Sequence, residues 1–363
     1  MKIGLLHYTY APVIGGVERV VDDLQSLFRS NGHEVELIGP HHPLRSESAS
    51  PEMLPHVNAL LVHNVMTMPF DLPLRTRLNA LAQRTTFRGT TRLVNWVHDV
   101  ASLSPAYASL TAETRLQLNQ FHGSWTHVAV SAAVAETFHR ATGLHATVIP
   151  NGIAPSSTLQ LTERVAALAG KNRWWTNSLA LLLPARIVPR KRIEDAIRLV
   201  EALNSRNTSA DLLITGALDP HITAGSPSAN YAELLSRRIA ASPSKQRIHL
   251  LSKDTPLSSE DMTSLYQVCD AVILPSDSEG FGLPALESAL HGKPFLCNPI
   301  DPLKDLPGSV PLDIDSRNQE RAITFLQNLA QAPSLRARKS VLSEHCWQSI
   351  YERFIAPVIL AAN

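Results

Sequence analysis

The chain has few cysteines and no long apolar run, and both absences narrow the classes of protein to which it can belong. Its three cysteines, Cys269, Cys297 and Cys346, lie far apart and form no pair of the C-x-x-C kind, so we expect free buried thiols in a reducing compartment. No apolar run approaches the length of a membrane span, and Met1 to Ile3 leads into a strand pattern rather than a signal peptide. These features predict a cytoplasmic protein.

The chain also has almost no excess of positive over negative charge. The chain carries 33 Lys and Arg against 32 Asp and Glu, and this net charge of +1 excludes a strongly basic nucleic-acid binder, although a local basic patch stays open. Hydrophobic residues make up 44% of the composition, which is typical of globular proteins. Because 363 residues exceed one ordinary core, we expect two domains.

Apolar runs alternate with helical patterns along the whole chain, which is typical of α/β proteins with parallel, doubly wound sheets. The break between the two halves falls between the turn 151–153 and Leu179. The apolar runs predict strands at Lys2 to Leu6, Glu34 to Ile38, Ala59 to Val62, Leu93 to Val97, Val128 to Val130, Ala146 to Ile149, Ala180 to Leu183, Leu212 to Thr215, Ile248 to Leu251, Ala271 to Leu274 and Pro294 to Cys297.

The most informative segment is the run EGFGLPALE, from Glu279 to Glu287, which follows the apolar run Ala271 to Leu274. Its two glycines let the backbone approach a ligand closely, and Pro284 suits the first turn of a helix. Unpaired amides and the helix dipole favour an anion such as a diphosphate there. The two glutamates frame this cradle, so a sugar joined through a diphosphate to a ribose fits the layout. The backbone contacts predicted for that ligand are Gly280, Phe281, Gly282 and Leu283.

Glu279 and Glu287, with seven residues between them, resemble the signature of retaining glycosyltransferases of family four, the glycosyl transferases group 1. The family has the GT-B fold, in which two Rossmann-like doubly wound domains face a deep cleft and a C-terminal helix crosses back to the first domain. The resemblance implies an acceptor-binding domain over residues 1–170, a nucleotide-sugar donor domain over residues 171–342, and a C-terminal helix over residues 343–363. Apolar residues at 347, 350, 351 and 354 predict one buried stripe on that helix.

A glycine loop near the N-terminus adds to the resemblance. Gly15 and Gly16 stand immediately before the first predicted helix and look like the donor-facing glycine loop of the family. A simple turn that needs two glycines explains the loop equally well. The spacing does not match G-x-G-x-x-G, which argues against a nicotinamide cofactor.

Three charged or polar positions also match the family. Arg186 and Lys191, five positions apart, match the residues that grip the donor diphosphate, and both side chains are suited to phosphate. The family usually has Gly after this Lys, whereas this chain has Arg192. His98 follows an apolar run and matches a family histidine near the donor sugar, and Asp99 is placed to orient its ring.

The resemblance implies a retaining, metal-independent hexosyltransferase that moves a glucose- or mannose-type hexose from a UDP- or GDP-linked donor to an acceptor hydroxyl, without a cofactor. The catalytic residues it implies are Glu279, His98, Arg186 and Lys191, and Glu287 would hold the ribose. In the family the leaving phosphate itself is thought to accept the acceptor's proton. A nucleotide-sugar epimerase of the same fold and a catalytically silent nucleotide-sugar-binding protein stay open as alternatives.

The acceptor is the part of the function that the sequence leaves open: a sugar, a small anionic hydroxy compound or a lipid-linked glycan. One observation bears on it, a basic stretch with a single acid, Asp71. Such a stretch would meet an anionic acceptor or an anionic lipid surface at the inner face of a membrane, and an ordinary solvated helix face is the other interpretation. Neither a nucleic-acid partner nor an oligomeric state is predicted. The basic residues are Arg75, Arg77, Arg84, Arg88 and Arg92.

Overall fold

The computed structural model describes residues 1–10, 12–13, 15–39, 57–83, 91–176, 178–216, 227–252, 255–315 and 318–360. Its contacts divide the chain into two compact units. The first unit comprises Met1–Ala154 and Glu344–Asn363, and the second comprises Pro155–Ser343. Each unit has a parallel sheet, so the prediction of an α/β protein with two Rossmann-like sheets is confirmed.

The sheet of the first unit has the strand order β2-β1-β3-β4-β5-β6. Its strands are β1 Lys2–Leu6, β2 Glu34–Ile38, β3 Ala59–His63, β4 Arg92–Val97, β5 Trp125–Ala129 and β6 Thr147–Val148. Its helices are Gly16–Ser30, Leu72–Gln83, Ala112–Asn119, Ala132–Thr142, Trp347–Ile350 and Ala356–Leu360. Strands are added to one side of β1 first and then to the other, so the strand order reverses between β1 and β3. Open α/β sheets bind ligands at the carboxyl ends of the strands beside such a point.

The sheet of the second unit has the order β12-β11-β10-β7-β8-β9, with the corresponding reversal between β7 and β10. Its strands are β7 Leu179–Leu183, β8 Ala210–Ile214, β9 Ile248–Leu250, β10 Ala271–Leu274, β11 Phe295–Cys297 and β12 Ser309–Pro311. Its helices are Pro155–Thr158, Glu163–Asn172, Ile193–Ser205, Pro227–Ala240, Ser259–Val268, Leu283–Leu290, Glu320–Gln331 and Pro333–Glu344. Every residue of β7, β8 and β10 is buried, as expected for parallel strands covered on both faces.

The helix Glu163–Asn172 belongs to the second unit, so the division of the chain differs from the predicted boundary at residue 170. Side-chain contacts explain the difference. The hydroxyl of Thr162 donates to Oδ1 of Asp261 at 2.7 Å, and Nη2 of Arg164 donates to the carbonyl of Leu251 at 2.9 Å. The inner face of the helix, including Val165, is buried in the core that surrounds β7.

The C-terminal residues contribute to the core of the first unit. Trp347, Ile350 and Tyr351 are buried there, as the predicted stripe requires, whereas Phe354 is only half-buried. The reason is a π-helical turn over Tyr351–Ile355, which adds one residue to the turn and moves the next buried position to Ile355.

The basic stretch between residues 75 and 92 is not one exposed face. Arg75 is buried, and its guanidinium donates to the carbonyls of Met66 at 2.8 Å and Gln120 at 2.6 Å. Arg92 donates to the carbonyl of Val358. Both therefore hold the first unit together, while the positions of residues 84 and 88 lie outside the described residues. These contacts take Arg75 and Arg92 out of the predicted basic face, and a contact of this stretch with an anionic acceptor or a membrane stays a prediction.

The cysteines are free thiols, as predicted, but only two of them are buried. Cys269 and Cys297 lie in the core, whereas Cys346 is half-buried because it begins the C-terminal helical segment. Within the described ranges, the structure has no helix with the length and apolar character needed to cross a membrane.

Candidate active site

The second unit brings together a basic loop that follows β7 and an acidic loop that follows β10. The ammonium group of Lys191 donates to the carboxylate of Glu279. Nη1 of Arg190 lies 3.3 Å from Oε2 of the same carboxylate, and Ser276 donates its hydroxyl to Oε1 at 2.6 Å. Two motifs separated by almost ninety positions in the chain thus meet at the reversal between β7 and β10.

Burial shapes the charges of this pair. Burial opposes the charge on Glu279, but hydrogen bonds from Lys191 and Ser276 outweigh it, so the pKa of this carboxyl is below its usual range. The pKa of Lys191 is also lowered, because burial and the nearby Arg190 and Arg186 outweigh the attraction of Glu279. Even with the carboxylate of Glu279 beside it, Lys191 thus lies in an environment that disfavours its positive charge. A second anion beside Lys191, such as a phosphate, would relieve that penalty.

The glycine loop after β10 leads into the N-terminus of the helix Leu283–Leu290, as predicted. Gly282 is the N-cap residue and has φ of 100°, and a Cβ atom there would lie 2.4 Å from Cδ2 of Leu303. Only glycine fits this combination of backbone and packing. A Cβ atom at Gly280 would meet open space, and the side chains of Phe281 and Leu283 are exposed. This helix N-terminus is therefore accessible to an anion.

Glu287, the second predicted carboxylate, lies one turn into this helix and has a defined partner. The hydroxyl of Tyr266 donates to Oε2 of Glu287 at 2.5 Å. Burial and this carboxylate raise the pKa of the Tyr266 hydroxyl, so it remains a donor. The Tyr266 ring also stacks on His291, with centroids 5.2 Å apart. One carboxylate oxygen is thereby fixed, which orients the other for a ligand hydroxyl.

The backbone conformation of Arg192 shows why the family usually has Gly at this position. Arg192 has φ of 48° and ψ of 45°, in the left-handed region that glycine enters without strain. Its guanidinium partly offsets that strain, because Nε donates to Oδ2 of Asp195 at 2.8 Å and Nη1 lies 3.6 Å from Asp277. Arg192 therefore links the first turn of the helix Ile193–Ser205 to the loop that carries Glu279.

The first unit has a cavity of 810 Å³ where the carboxyl ends of its strands meet. This volume lies within the range of small-ligand sites. Residues that follow β1, β3, β4, β5 and β6 line the cavity, together with the start of the helix Gly16–Ser30. The lining residues are His7, Tyr8, Thr9, Gly16, Val17, Glu18, Asn64, Met68, Phe70, His98, Asp99, Tyr107, Val130 and Asn151.

The predicted glycine loop of the first unit carries a carboxylate. A Cβ atom on Gly15 would lie 2.0 Å from Oε2 of Glu18, so glycine is needed for this side chain to fold back over the start of the helix. Thr9 donates its hydroxyl to Glu18 at 2.5 Å, and Nε2 of His7 lies 3.6 Å away. Burial opposes the charge of Glu18, but the bond from Thr9, the backbone and His7 outweigh it and lower its pKa. Gly16 lines the cavity beside this carboxylate.

His98 lines the same cavity, but its ring is oriented differently from the prediction. Nε2 of His98 lies 3.1 Å from Nδ1 of His63, whereas the side chain of Asp99 is exposed. The amides of His98 and Asp99 donate to Oδ1 of Asn64 at 2.8 and 3.1 Å, which fixes the backbone here. Burial, with a smaller contribution from His7, lowers the pKa of His98 to about 4, so the ring is neutral at pH 7.

The sequence motifs do not indicate several residues that the structure places beside Glu279 and Glu287 in the second unit or in the cavity of the first unit. His7 and Asn64 follow β1 and β3 directly, so the rule that ligands lie at the carboxyl ends of strands could have indicated both. Ser276 follows β10 closely, so the same rule could have indicated it. Tyr266 carries no such signal, because it lies within a helix and its role depends on its contact with Glu287. No predicted site residue lies outside the described ranges.

Comparisons with known proteins bear on the second unit. The family model of glycosyl transferases group 1 matches residues 168–307, which include the paired glutamates and the basic loop. The comparison with curated proteins finds no match. Among solved structures, the chain is similar to Anabaena HepE in complex with UDP and glucose, at 18% identity over 100% of both chains with a TM-score of 0.37. It is also similar to sucrose-phosphate synthase from Thermosynechococcus elongatus, at 16% identity over 99% of this chain and 100% of that chain, with a TM-score of 0.36.

At these TM-scores the structural similarity adds nothing to the fold, which rests on the order of the two parallel sheets. The family match, in contrast, covers most of the second unit and confirms the resemblance that Glu279 and Glu287 indicate. The chain is therefore a glycosyltransferase that carries a group 1 domain over residues 168–307.

Proposed function

We propose that the protein is a retaining, metal-independent hexosyltransferase that uses a nucleotide diphosphate sugar, UDP- or GDP-linked, as its donor. The observation that carries the proposal is the contact between Lys191 and Glu279 beside an accessible helix N-terminus. The cation and the helix amides suit the diphosphate of such a donor, and the carboxylate beside them suits the sugar that is transferred. The hexose is of the glucose or mannose type by resemblance to the family.

Lys191 and Arg186 would bind the diphosphate and stabilise it as the leaving group. Both belong to the loop after β7, and Lys191 gains a second anion in an environment that disfavours its charge. The backbone at Gly280 to Leu283 would complete the phosphate site. Because two side-chain cations and the helix dipole supply the positive charge, the mechanism assigns no step to a metal ion.

The two carboxylates would then have separate roles. When Lys191 turns to the phosphate, Glu279 keeps the hydrogen bond from Ser276 and the ion pair with Arg190, so it stays oriented toward the sugar. Glu287, fixed by Tyr266, would bind the ribose hydroxyls. From the first unit, we propose His98, which follows β4, and Gly15 and Gly16, which follow β1, as contacts of the donor; His98 and Gly16 line one cavity. The leaving phosphate would accept the proton of the acceptor hydroxyl, which retains the anomeric configuration.

Ligand binding tests the donor directly. We expect UDP or GDP, and a matching hexose conjugate, to raise the melting temperature of the full chain, since a bound ligand stabilises the folded state. Hydrogen bonds to charged groups contribute about 1.5 to 3 kcal/mol, so Lys191→Ala should weaken binding of that nucleotide about tenfold or more by calorimetry. Lys191→Arg is the matched control that keeps the charge. An unchanged affinity in Lys191→Ala would remove this residue from the site.

Turnover separates the alternatives. A transferase releases nucleoside diphosphate in proportion to acceptor, an epimerase isomerises the donor without acceptor, and a silent protein binds without either reaction. Product anomers identified by NMR test retention. Activity should survive excess chelator, and complete loss that magnesium or manganese restores would contradict metal independence.

A further inference from the structure

We propose that the aromatic wall of the first unit's cavity is an acceptor subsite for a neutral carbohydrate, with Phe70 as its principal stacking residue, while His98 and Gly16 in the same lining keep their proposed contacts with the donor. This inference rests on the proposed transferase function and names the class of acceptor. It decides among the three classes that the sequence leaves open: a sugar, an anionic hydroxy compound and a lipid-linked glycan.

Three aromatic side chains form one wall of the cavity. Phe70 packs edge to face against Tyr8, with ring centroids 5.3 Å apart, and against Tyr107, with centroids 6.1 Å apart. They come from three different loops, which follow β1, β3 and β4. Their convergence is therefore a product of the fold rather than of one apolar segment. Phe70 nevertheless remains 63% exposed, although it belongs to a packed aromatic cluster.

An exposed aromatic ring beside polar groups fits a sugar. The apolar face of a pyranose covers an aromatic ring, while its equatorial hydroxyls need hydrogen-bond partners around the rim. The cavity supplies such partners from neutral side chains, among them Thr9, Asn64 and Asn151. Oδ1 of Asn64 is already occupied by two backbone amides, so its amide nitrogen is the atom that remains for a ligand.

The charge of the cavity disfavours an anion. Among the described residues that line it there is no Lys or Arg, whereas Glu18 and Asp99 are both acidic. The pKa of Glu18 lies below its usual range despite burial, so this carboxylate is ionised at pH 7. His98 is neutral at that pH, because burial lowers its pKa to about 4. A phosphorylated or carboxylated acceptor would meet like charge here, and a neutral sugar would not.

The same wall distinguishes a sugar ring from a long lipid. The aromatic cluster is bounded on one side by His7, whose ring centroid lies 5.5 Å from that of Tyr8, and His7 itself faces Glu18. On this side the described apolar surface thus ends at a polar pair. Such a pair can bind a sugar hydroxyl, whereas a hydrocarbon chain gains nothing from it.

Direct binding to the full chain tests the subsite without requiring transfer. Saturation-transfer NMR would be recorded with neutral probes, namely methyl glucoside, methyl mannoside, maltose and lactose, and with the anionic probes glucose 6-phosphate and glucuronate. The variants are Phe70→Ala, the conservative Phe70→Tyr, and Leu116→Ala, which removes an equally exposed apolar side chain outside the cavity lining. Affinity for UDP and GDP is measured in parallel.

We expect at least one neutral sugar to bind, and Phe70→Ala to weaken it about two- to tenfold, while Phe70→Tyr and Leu116→Ala leave it unchanged. The anionic probes should bind more weakly than their neutral counterparts. Stronger binding of the anionic probes, equal binding in Phe70→Ala, or no binding of any neutral sugar would overturn the subsite. A chain that binds a neutral sugar but neither UDP nor GDP would instead contradict the proposed donor. Failure of the acceptor subsite and failure of the proposed function are therefore distinguishable.

Discussion

Nδ1 of His63 lies 3.1 Å from Nε2 of His98, so these two imidazoles share one proton between their facing nitrogens. The other nitrogen of His63, Nε2, is buried and has no hydrogen-bond partner among the described residues. Buried N–H groups without a partner are rarer than unpaired acceptors and cost about 1–3 kcal/mol. We therefore place the proton of His63 on Nδ1, donated to His98, which leaves His98 protonated on its own Nδ1. His98 would then offer a donor, not an acceptor, to a ligand in the cavity.

Two substitutions at His63 test this tautomer. His63→Asn keeps an N–H donor near the position of Nδ1, whereas His63→Leu removes it. We expect Nδ1–H on His98 in the wild type and in His63→Asn, and a mixture of tautomers in His63→Leu, by ¹⁵N NMR of labelled histidine. Transfer activity should fall about tenfold in His63→Leu, as loss of one hydrogen bond predicts, and recover in His63→Asn. A wild-type His98 protonated on Nε2 would contradict the assignment.

Two histidines with lowered pKa values, the buried His98 and the half-buried His127, should make the first unit sensitive to mild acid. Burial lowers the pKa of His127 to about 4, and His98 has the same value with His7 as a second cause. Between pH 6.5 and 4 the unfolded chain binds more protons at these sites than the folded chain, so the free energy of unfolding falls as pH falls through this window. The loss at pH 5 is about 2 kcal/mol for each histidine.

His127 allows its share to be isolated, because its ring packs between Phe121 and Phe138 and its Nδ1 lies 3.2 Å from Nδ2 of Asn95. We expect His127→Gln to be less stable at pH 7 but to lose about 2 kcal/mol less than the wild type between pH 7 and pH 5. Urea unfolding at both pH values measures this difference. An equal loss in both proteins would show that His127 does not titrate in this range.

The left-handed backbone of Arg192 predicts opposite effects for two small substitutions. Arg192→Gly removes the conformational cost of about 1–2 kcal/mol but also removes ion pairs worth up to about 1 kcal/mol, since the guanidinium is partly exposed. We expect it to be neutral or slightly stabilising. Arg192→Ala loses the same ion pairs and keeps the strain, so it should be less stable than Arg192→Gly by about 1 kcal/mol. Urea unfolding of both variants measures the difference, and equal stabilities would mean that this backbone is not strained.

The two carboxylates should have separable kinetic effects. Glu279→Gln should lower kcat more than it weakens binding of free UDP or GDP, because Glu279 is proposed to act on the sugar. Glu287→Gln should weaken binding of the nucleotide itself. Tyr266→Phe, which removes only the hydroxyl that donates to Glu287, should reproduce the second effect in weaker form. Indistinguishable profiles in steady-state kinetics and calorimetry would contradict the assignment of these roles.

Local pattern predicted the strands well and the tertiary contacts poorly. The apolar runs of β1 and β10 are bounded by turn residues, and both strands have the predicted limits. The other predicted strands are found within three residues of their limits, but β12 was not predicted, because Ser309–Pro311 is too short for a periodic signal. The membership of the helix Glu163–Asn172 in the second unit likewise depends on distant partners in the chain, such as Asp261.

The candidate site shows the same division. Glu279 and Lys191 were predicted from motifs, and their contact follows from where parallel strands end. His63 could not be predicted, because it closes the apolar run of β3 and resembles a core residue until His98 is placed beside it. The carboxylate of Glu18 over Gly15 was also missed, since glycine before a helix equally predicts an open phosphate site.

The C-terminal segment provides the last prediction, because the core of the first unit is incomplete without it. Nε1 of Trp347 donates to Asp23 at 2.8 Å, and its ring lies so close to Gly152 that a Cβ atom there would be 2.7 Å from Cδ2. Removing the residues after Leu342 should therefore expose apolar surface, promote aggregation and abolish transfer, measured by size-exclusion chromatography and activity assay.

Point substitutions separate packing from the hydrogen bond of Trp347. Trp347→Ala should cost about 3–5 kcal/mol of unfolding free energy, as for other large buried side chains, whereas Trp347→Phe keeps most of the packing and loses chiefly the bond to Asp23. Gly152→Ala should also destabilise the unit, because the added methyl group meets the Trp347 ring. A truncated chain that stays monodisperse and fully active would show that the first unit folds and functions without this segment.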